Sequence, residues 1–168
     1  MTRDDISKVL FGPGVDSTTR PLVLADWAEG LGPTDGALFW RVVIDAWSRC
    51  DLIPHRRFSR LFVRFATDRP PVNVAGVISI YRGQDGEARP IGLSWTTDLD
   101  VADRFAIGHR GKWSANPVVY ETTATPKQIA FTSDDRSERE IVLLRSPRRF
   151  WVSDEWQELR DWVAAEGE

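Results

Sequence analysis

Ile78-Ser79-Ile80-Tyr81-Arg82-Gly83 closes a run rich in valine and isoleucine, and Gly92-Leu93-Ser94-Trp95-Thr96-Thr97 follows shortly after it. β-branched and aromatic residues suit a pleated surface, so residues 72–81 predict a strand. Residues 84–87, Gln84-Asp85-Gly86-Glu87, read as a turn, and residues 91–95 as a second short strand. Thr97 or Asp98 then caps a helix whose apolar face is Val101, Ala102, Phe105 and Ala106. Residues 108–116 form a polar, glycine-containing loop. Residues 118–123, 127–131 and 140–144 are further strands, and Ser153 opens a last helix carrying Trp156, Leu159, Trp162 and Val163.

Upstream of Arg69-Pro70-Pro71 the pattern changes to a helical one. Thr18 or Thr19 with Pro21 marks a helix start, and Gly32-Pro33 a stop. Leu38, Phe39, Val42, Val43, Ala46 and Trp47 recur at three- and four-residue spacing across residues 37–47. Phe58, Leu61, Phe62 and Phe65 repeat that spacing in a third helix. Arg57, Arg60 and Arg64 fall on its other side, an arrangement expected of a solvated face. The expected class is α+β, with a helical subdomain at 1–70 and a mostly antiparallel sheet with one crossing helix in 71–168, packed as one unit.

The 168 residues suffice for one domain with a real core. A hydrophobic fraction of 42% and a charged fraction of 28% are ordinary for a globular chain. A net charge of −3 gives no reason for general attraction to nucleic acid or membranes. Neither a signal peptide nor a spanning segment is visible, so a cytoplasmic protein is expected. Cys50 has no partner for a disulfide, and with only His55 and His109 beside it a zinc site is not expected. Asp98, Asp100 and Asp103 lack the glycine and glutamate of a calcium loop, and helix capping accounts for them better. Gly92-Leu93-Ser94-Trp95-Thr96 lacks the second glycine of a nucleophile elbow, which argues against a serine hydrolase using Ser94 and His109.

The polar residues that remain fall in a telling order: Arg82 at a strand end, Ser94 and Thr96 on the next strand, then Ser137-Glu138-Arg139-Glu140 opening another. Taken singly, each has an ordinary structural use: a surface ion pair for Arg82, sheet surface for Ser94 and Thr96, a solvated edge for the glutamates. Jointly they supply what is needed to break a glycosidic bond beside a pyrophosphate. An arginine fork suits a pyrophosphate. A carboxylate stabilises an oxocarbenium-like sugar, most strongly where water is excluded. Hydroxyls can orient that carboxylate. If Glu138 and Glu140 are both extended, they share a face, and Glu138 can orient or deprotonate an acceptor. NAD is the candidate substrate.

Tyr-Arg-Gly at 81–83, Leu-Ser-Trp-Thr-Thr-Asp at 93–98 leading into Val-Ala-Asp-Arg-Phe-Ala, and the Glu-x-Glu pair together resemble the ADP-ribosyltransferase superfamily, in its Arg-Ser-Glu branch. The resemblance covers residues 72–144, and the Ser-Trp-Thr-Thr segment is its most specific part. It implies a split fold of two small antiparallel sheets meeting at a cofactor cleft, preceded here by the helical subdomain. It implies Glu140 as the catalytic glutamate, with Glu138 and Arg82 completing the catalytic set. Arg82 and Gly83, Ser94 with Trp95 and Thr96, and Phe105 and Trp113 are the residues it places around NAD. Residues 132–137 become a target-recognition turn and residues 108–116 a phosphate–nicotinamide loop. Trp95 and Thr96 stand where the common Ser-Thr-Ser form has other residues.

The activity so implied is mono-ADP-ribosyl transfer from NAD to a macromolecular acceptor, a protein side chain in the first instance, with a nucleic acid left open. The resemblance also implies a context, since superfamily members of this size often serve bacterial or phage conflict as toxins or host-modifying effectors, and it leaves an inhibitor or antitoxin open as a partner. A NAD glycohydrolase and an inactive binding module of the same fold are the alternatives.

Overall fold

The computed structural model describes residues 2–86, 92–109, 112–134 and 137–166. The chain divides after Val72, just past the Pro70-Pro71 pair, into units Met1–Val72 and Asn73–Glu168.

The first unit is helical because its apolar spacing is helical. Helix α1, Arg3–Leu10, is absent from the expectation above. Thr2 and Asp5 start it by bonding each other's backbone N–H groups, and Ile6 and Leu10, one turn apart, are its buried pair. Helix α2, Arg20–Glu29, has Pro21 in its first turn, and it ends before Gly30 rather than at Gly32-Pro33. Its Thr19 makes no side-chain cap. The Asp16 carboxylate instead accepts from the Thr18 and Thr19 N–H groups at 2.9 and 2.8 Å. Helix α3 is Gly36–Trp47, and helix α4, His55–Arg64, is followed by a 3-10 turn at Ala66–Asp68.

The core between these helices is aromatic. Trp40 stacks on Phe62 with centroids 5.1 Å apart, Phe39 meets Trp40 edge-on at 5.1 Å, and Trp47 meets Phe58 edge-on at 5.3 Å. Such pairs add to the area they bury. The buried Trp40 indole donates to the Phe65 carbonyl at 2.7 Å, so the ring is buried without stranding its N–H. Gly36 opens α3 against Asp68, where a Cβ would come within 2.1 Å of the carboxylate.

The arginine face of α4 is not simply solvated. Arg57 donates to Asp26 at 2.6 Å and to both oxygens of Glu29 at 2.9 and 2.8 Å. Arg64 donates to the Glu29 and Leu31 carbonyls and lies 4.8 Å over the Phe65 ring. Both side chains tie α4 to the end of α2, and periodicity alone could not show that. Burial pushes the Cys50 thiol up to about 12, which leaves it a small apolar group rather than a nucleophile.

The second unit carries one six-stranded sheet, not two. Its strands are β1 (Ile78–Asp85), β2 (Ser94–Thr96), β5 (Pro117–Ala124), β6 (Ile129–Ser133), β7 (Glu140–Leu143) and β8 (Trp151–Val152). Their order is β6-β7-β2-β1-β5-β8, and every pair is antiparallel. Strands β3 (Gly108–His109) and β4 (Lys112–Trp113) form a separate short ribbon inside what reads as a loop. Helix α5 is Leu99–Ile107 and helix α6 is Asp154–Glu166.

Several bounds shift. β1 starts at Ile78, not at 72, and runs through Gln84 and Asp85, which pair with Val118 and Pro117 instead of turning. β2 begins at Ser94, and the expected positions Ile91 and Glu87 lie outside the described residues. Strand β8 is too short for any periodicity to reveal. The Asp98 carboxylate caps α5, accepting from the Asp100 and Val101 N–H groups. Ser153, fully buried, accepts from the Trp156 N–H at 3.4 Å and so begins α6.

Helix α5 lies on β1 at Gly83, where a Cβ would stand 1.8 Å from the Ala102 carbonyl oxygen and 2.4 Å from the Ala106 nitrogen. Ala102, Ala106, Val119 and Trp156 form the cluster there, flanked by Tyr81 and Leu99. The Trp156 indole donates to Asp103 at 2.7 Å, so that carboxylate fastens α6 to α5. Among the described residues, no helix is long and apolar enough to cross a membrane.

Candidate functional site

Strand β1 has two neighbours and holds them differently. It pairs with β5 at eight positions, Ile78 through Asp85. Among the described residues it pairs with β2 at one, Tyr81 with Thr96. The sheet is therefore continuous but has a seam between β1 and β2, and the polar residues singled out by sequence gather along it.

Alternation sends Arg82 to the face of Ile80 and Gln84, opposite to Tyr81. Its guanidinium reaches across the seam all the same. Nη1 donates to the Ser94 carbonyl at 2.6 Å, and Nε donates to Gln84 Oε1 at 2.8 Å. The Ser94 carbonyl thus takes a bond from a side chain on β1. Gly92 makes room: a Cβ there would be 2.7 Å from Cζ of Arg82. Burial pushes the Arg82 guanidinium down to about 10, and the nearby charge of Glu140 works against that fall. Arg82 keeps part of its surface in solvent, so it stays protonated through the neutral range.

The other side of the seam is built by β2 and β7. Thr96 stands opposite Glu140, Trp95 opposite Ile141, and Ser94 opposite Val142. Directly opposed residues share a face, so Ser94, Thr96 and Glu140 project to the Tyr81 side of the sheet, opposite to the side from which Arg82 leaves β1. Along β7 burial falls from fully buried Val142 to half-buried Glu140, so the core gives way at the glutamate. Trp95 and Ile141 face the other side and are buried. The Trp95 indole donates to the Gly92 carbonyl at 3.2 Å. Its place is in the packed interior, which departs from its expected position beside the substrate.

The Thr96 hydroxyl has a backbone task. It donates to the Glu138 carbonyl at 2.7 Å and accepts from the Asp98 N–H at 3.1 Å. The conditional expectation that Glu138 and Glu140 share a face as extended residues does not apply. Strand β7 begins at Glu140, and Ser137 and Arg139 on either side of Glu138 are left-handed, with φ of 57° and 44°. Non-glycine residues in that region cost about 1–3 kcal/mol each and persist only where neighbours hold them. Here the holders are the Thr96 hydroxyl on Glu138, the Thr97 N–H on the Arg139 carbonyl at 3.3 Å, and the Asp134 carbonyl on the Ser137 N–H at 3.1 Å. Arg139 also approaches Asp98 at 3.6 Å, an exposed pair of small weight.

Of the remaining expected residues, Gly83 serves the packing of α5, and Phe105 is half-buried on that helix. Trp113 is 82% exposed on the short ribbon. Its neighbour Ser114 donates to Asp85 at 2.8 Å, which fastens the ribbon's end to the end of β1. Residues 135–136 of the expected recognition turn, and 110–111 of the expected loop, lie outside the described residues. No group of three or more His, Cys, Asp or Glu side chains fit for a metal is present among the described residues.

Two residues of the seam escape the sequence pattern. Gln84 reads as part of a turn, though its spacing from Arg82 would reveal it once β1 is extended by four residues. Gly92 gains its meaning only from its contact with Arg82 across the chain. No protein-family model, curated protein or solved structure matches this chain.

Proposed function

We propose that the second unit is a NAD-dependent mono-ADP-ribosyltransferase acting on a macromolecular acceptor, in the first instance a protein side chain. The observation that carries this is the meeting of Arg82, Ser94, Thr96 and Glu140 on three adjacent strands. They are far apart in sequence, and the seam joins them through the 2.6 Å Arg82–Ser94 bond and the Thr96–Glu140 pairing. A cation with a carboxylate near enough for its charge to be felt is what a dinucleotide with a scissile ribosyl bond requires. Arg82 holds the pyrophosphate. Glu140 stabilises the positive charge that grows on the ribose as nicotinamide departs. Thr96 fixes the turn that brings Glu138 up to Glu140, where Glu138 orients the incoming acceptor. In this assignment the split fold of the superfamily corresponds to the seam, with the two halves of the sheet left joined at Tyr81 and Thr96. A toxin or effector restrained by an inhibitor fits such an activity.

The test is incubation of the whole chain with isotopically labelled NAD and cell lysate, followed by intact-mass and peptide mass spectrometry. Label on a macromolecule, lost in Glu140→Gln, supports transfer. Free ADP-ribose and nicotinamide without labelled macromolecule would make the protein a NAD glycohydrolase. Absence of NAD binding would leave the fold as a binding module.

A further inference from the structure

The second unit buries four polar side chains among its described residues: Gln84, Thr96, Thr122 and Ser153. Three of them serve the backbone, bonding the Glu138 carbonyl, the Arg149 carbonyl and the Trp156 N–H. Gln84 differs. Its Oε1 accepts from the Nε of another side chain, Arg82, at 2.8 Å, while Nε2 turns back to the Asp85 carbonyl at 3.4 Å.

A guanidinium is a rigid planar fork, so two acceptors at separate nitrogens define its plane. Gln84 takes Nε and the Ser94 carbonyl takes Nη1, with the Gly92 backbone as a wall against Cζ. The chemical type of the first acceptor also matters. An amide oxygen satisfies the Nε–H without bringing charge. A carboxylate of the same length would form a charge-assisted pair in a largely enclosed site, and Arg82 would then face two anions, since it already feels Glu140.

We infer that Gln84 is a positioning residue that sets the plane of the Arg82 guanidinium while leaving its charge available to a pyrophosphate-bearing ligand. This rests on Arg82 being the phosphate clamp of the proposed transferase.

The experiment is calorimetric titration of the full chain with inorganic pyrophosphate and, separately, with NAD, for the wild type, Gln84→Glu and Gln84→Met, with thermal melts of each. The glutamate keeps the acceptor and the length and adds a charge. The methionine keeps the length and removes the acceptor. Gln84→Glu is expected to weaken both ligands by about tenfold or more with the melt little changed, and to raise KM for NAD while kcat holds. A residue with a merely structural role would shift the melt without that split. If Gln84→Glu fails to fold, Gln84→Met decides: weakened binding supports the inference and unchanged binding overturns it. Equal affinity of wild type and both variants for NAD would overturn the role of Gln84 and leave the transferase standing. Pyrophosphate binding that is lost in Gln84→Glu, with no NAD binding by the wild type, would uphold Gln84 and sink the transferase. A wild type that binds neither ligand would overturn both.

Discussion

The two units treat their polar groups in opposite ways. In Met1–Val72 the interior is aromatic, and the charged side chains tie helices and loops together around it, Arg57 to Asp26 and Glu29 and half-buried Arg20 to the Leu10 and Val15 carbonyls. All the buried polar side chains among the described residues belong to Asn73–Glu168, and there a half-buried arginine reaches across a gap in the sheet. Burying a polar group costs free energy unless it is fully bonded. A fold that needed only stability would fill the seam with apolar side chains. The first unit is thus organised around aromatic packing, and the second keeps cationic, amide, hydroxyl and carboxylate groups near one another along the seam.

Disturbing each unit separately should break that comparison if it is wrong. The largest effect on stability is expected from Phe62→Ala, since Phe62 is fully buried among Phe39, Trp40, Trp47 and Phe58. The loss should be about 3–5 kcal/mol. It is measured by urea unfolding followed through tryptophan fluorescence, and NAD affinity per folded molecule should persist. A comparable loss of NAD affinity would erase the contrast.

Glu140→Gln should do the reverse, lowering labelled transfer by about a hundredfold or more with the melting temperature nearly unmoved. Thr96→Val touches both properties. It leaves the Glu138 carbonyl and the Asp98 N–H without their hydroxyl partner, at a cost of about 1–3 kcal/mol. It should also lower transfer, because the turn before Glu140 loses its holder. Retention of both stability and rate would show that the left-handed turn holds itself.

The smallest effect concerns pH. Burial lowers the Arg82 pKa from its ordinary value to about 10, so its proton leaves at a lower pH than usual but still well above neutrality. Pyrophosphate affinity should therefore be unaffected by Arg82 between about pH 6 and 8.5, and should fall as pH rises toward 10. A rise in affinity across that upper range would contradict a cationic clamp.

The helical spacing of Phe58, Leu61, Phe62 and Phe65 was legible because a helix writes its period into adjacent residues. Arg57 and Arg64 do lie on the outer side of α4, but their hydrogen-bond partners on and just after α2 could not be read, because they belong to another stretch of the chain. In the sheet the presence of β1 could be read from its valines and isoleucines, but neither of its ends: it begins at Ile78 rather than 72 and runs on to Asp85. Gln84, Asp85 and Gly86 carry turn chemistry, and only pairing with β5 keeps the first two extended. Glu138 and Glu140 suggested an extended pair, and the Thr96 hydroxyl together with the left-handed Arg139 gave a turn instead. Arg82, Ser94, Thr96 and Glu140 stand out in the sequence by residue type and order, and the structure puts them on three adjacent strands.

Local order along the chain was enough to determine the α+β class and the change from helices to strands that follows Pro70-Pro71. Those properties depend on residues within a turn or two of each other. The single sheet with its seam, the plane of the Arg82 guanidinium, and the core-facing side of Trp95 were decided by tertiary structure. Each depends on which strand lies beside which, and that choice is made by burial and pairing between segments far apart in sequence.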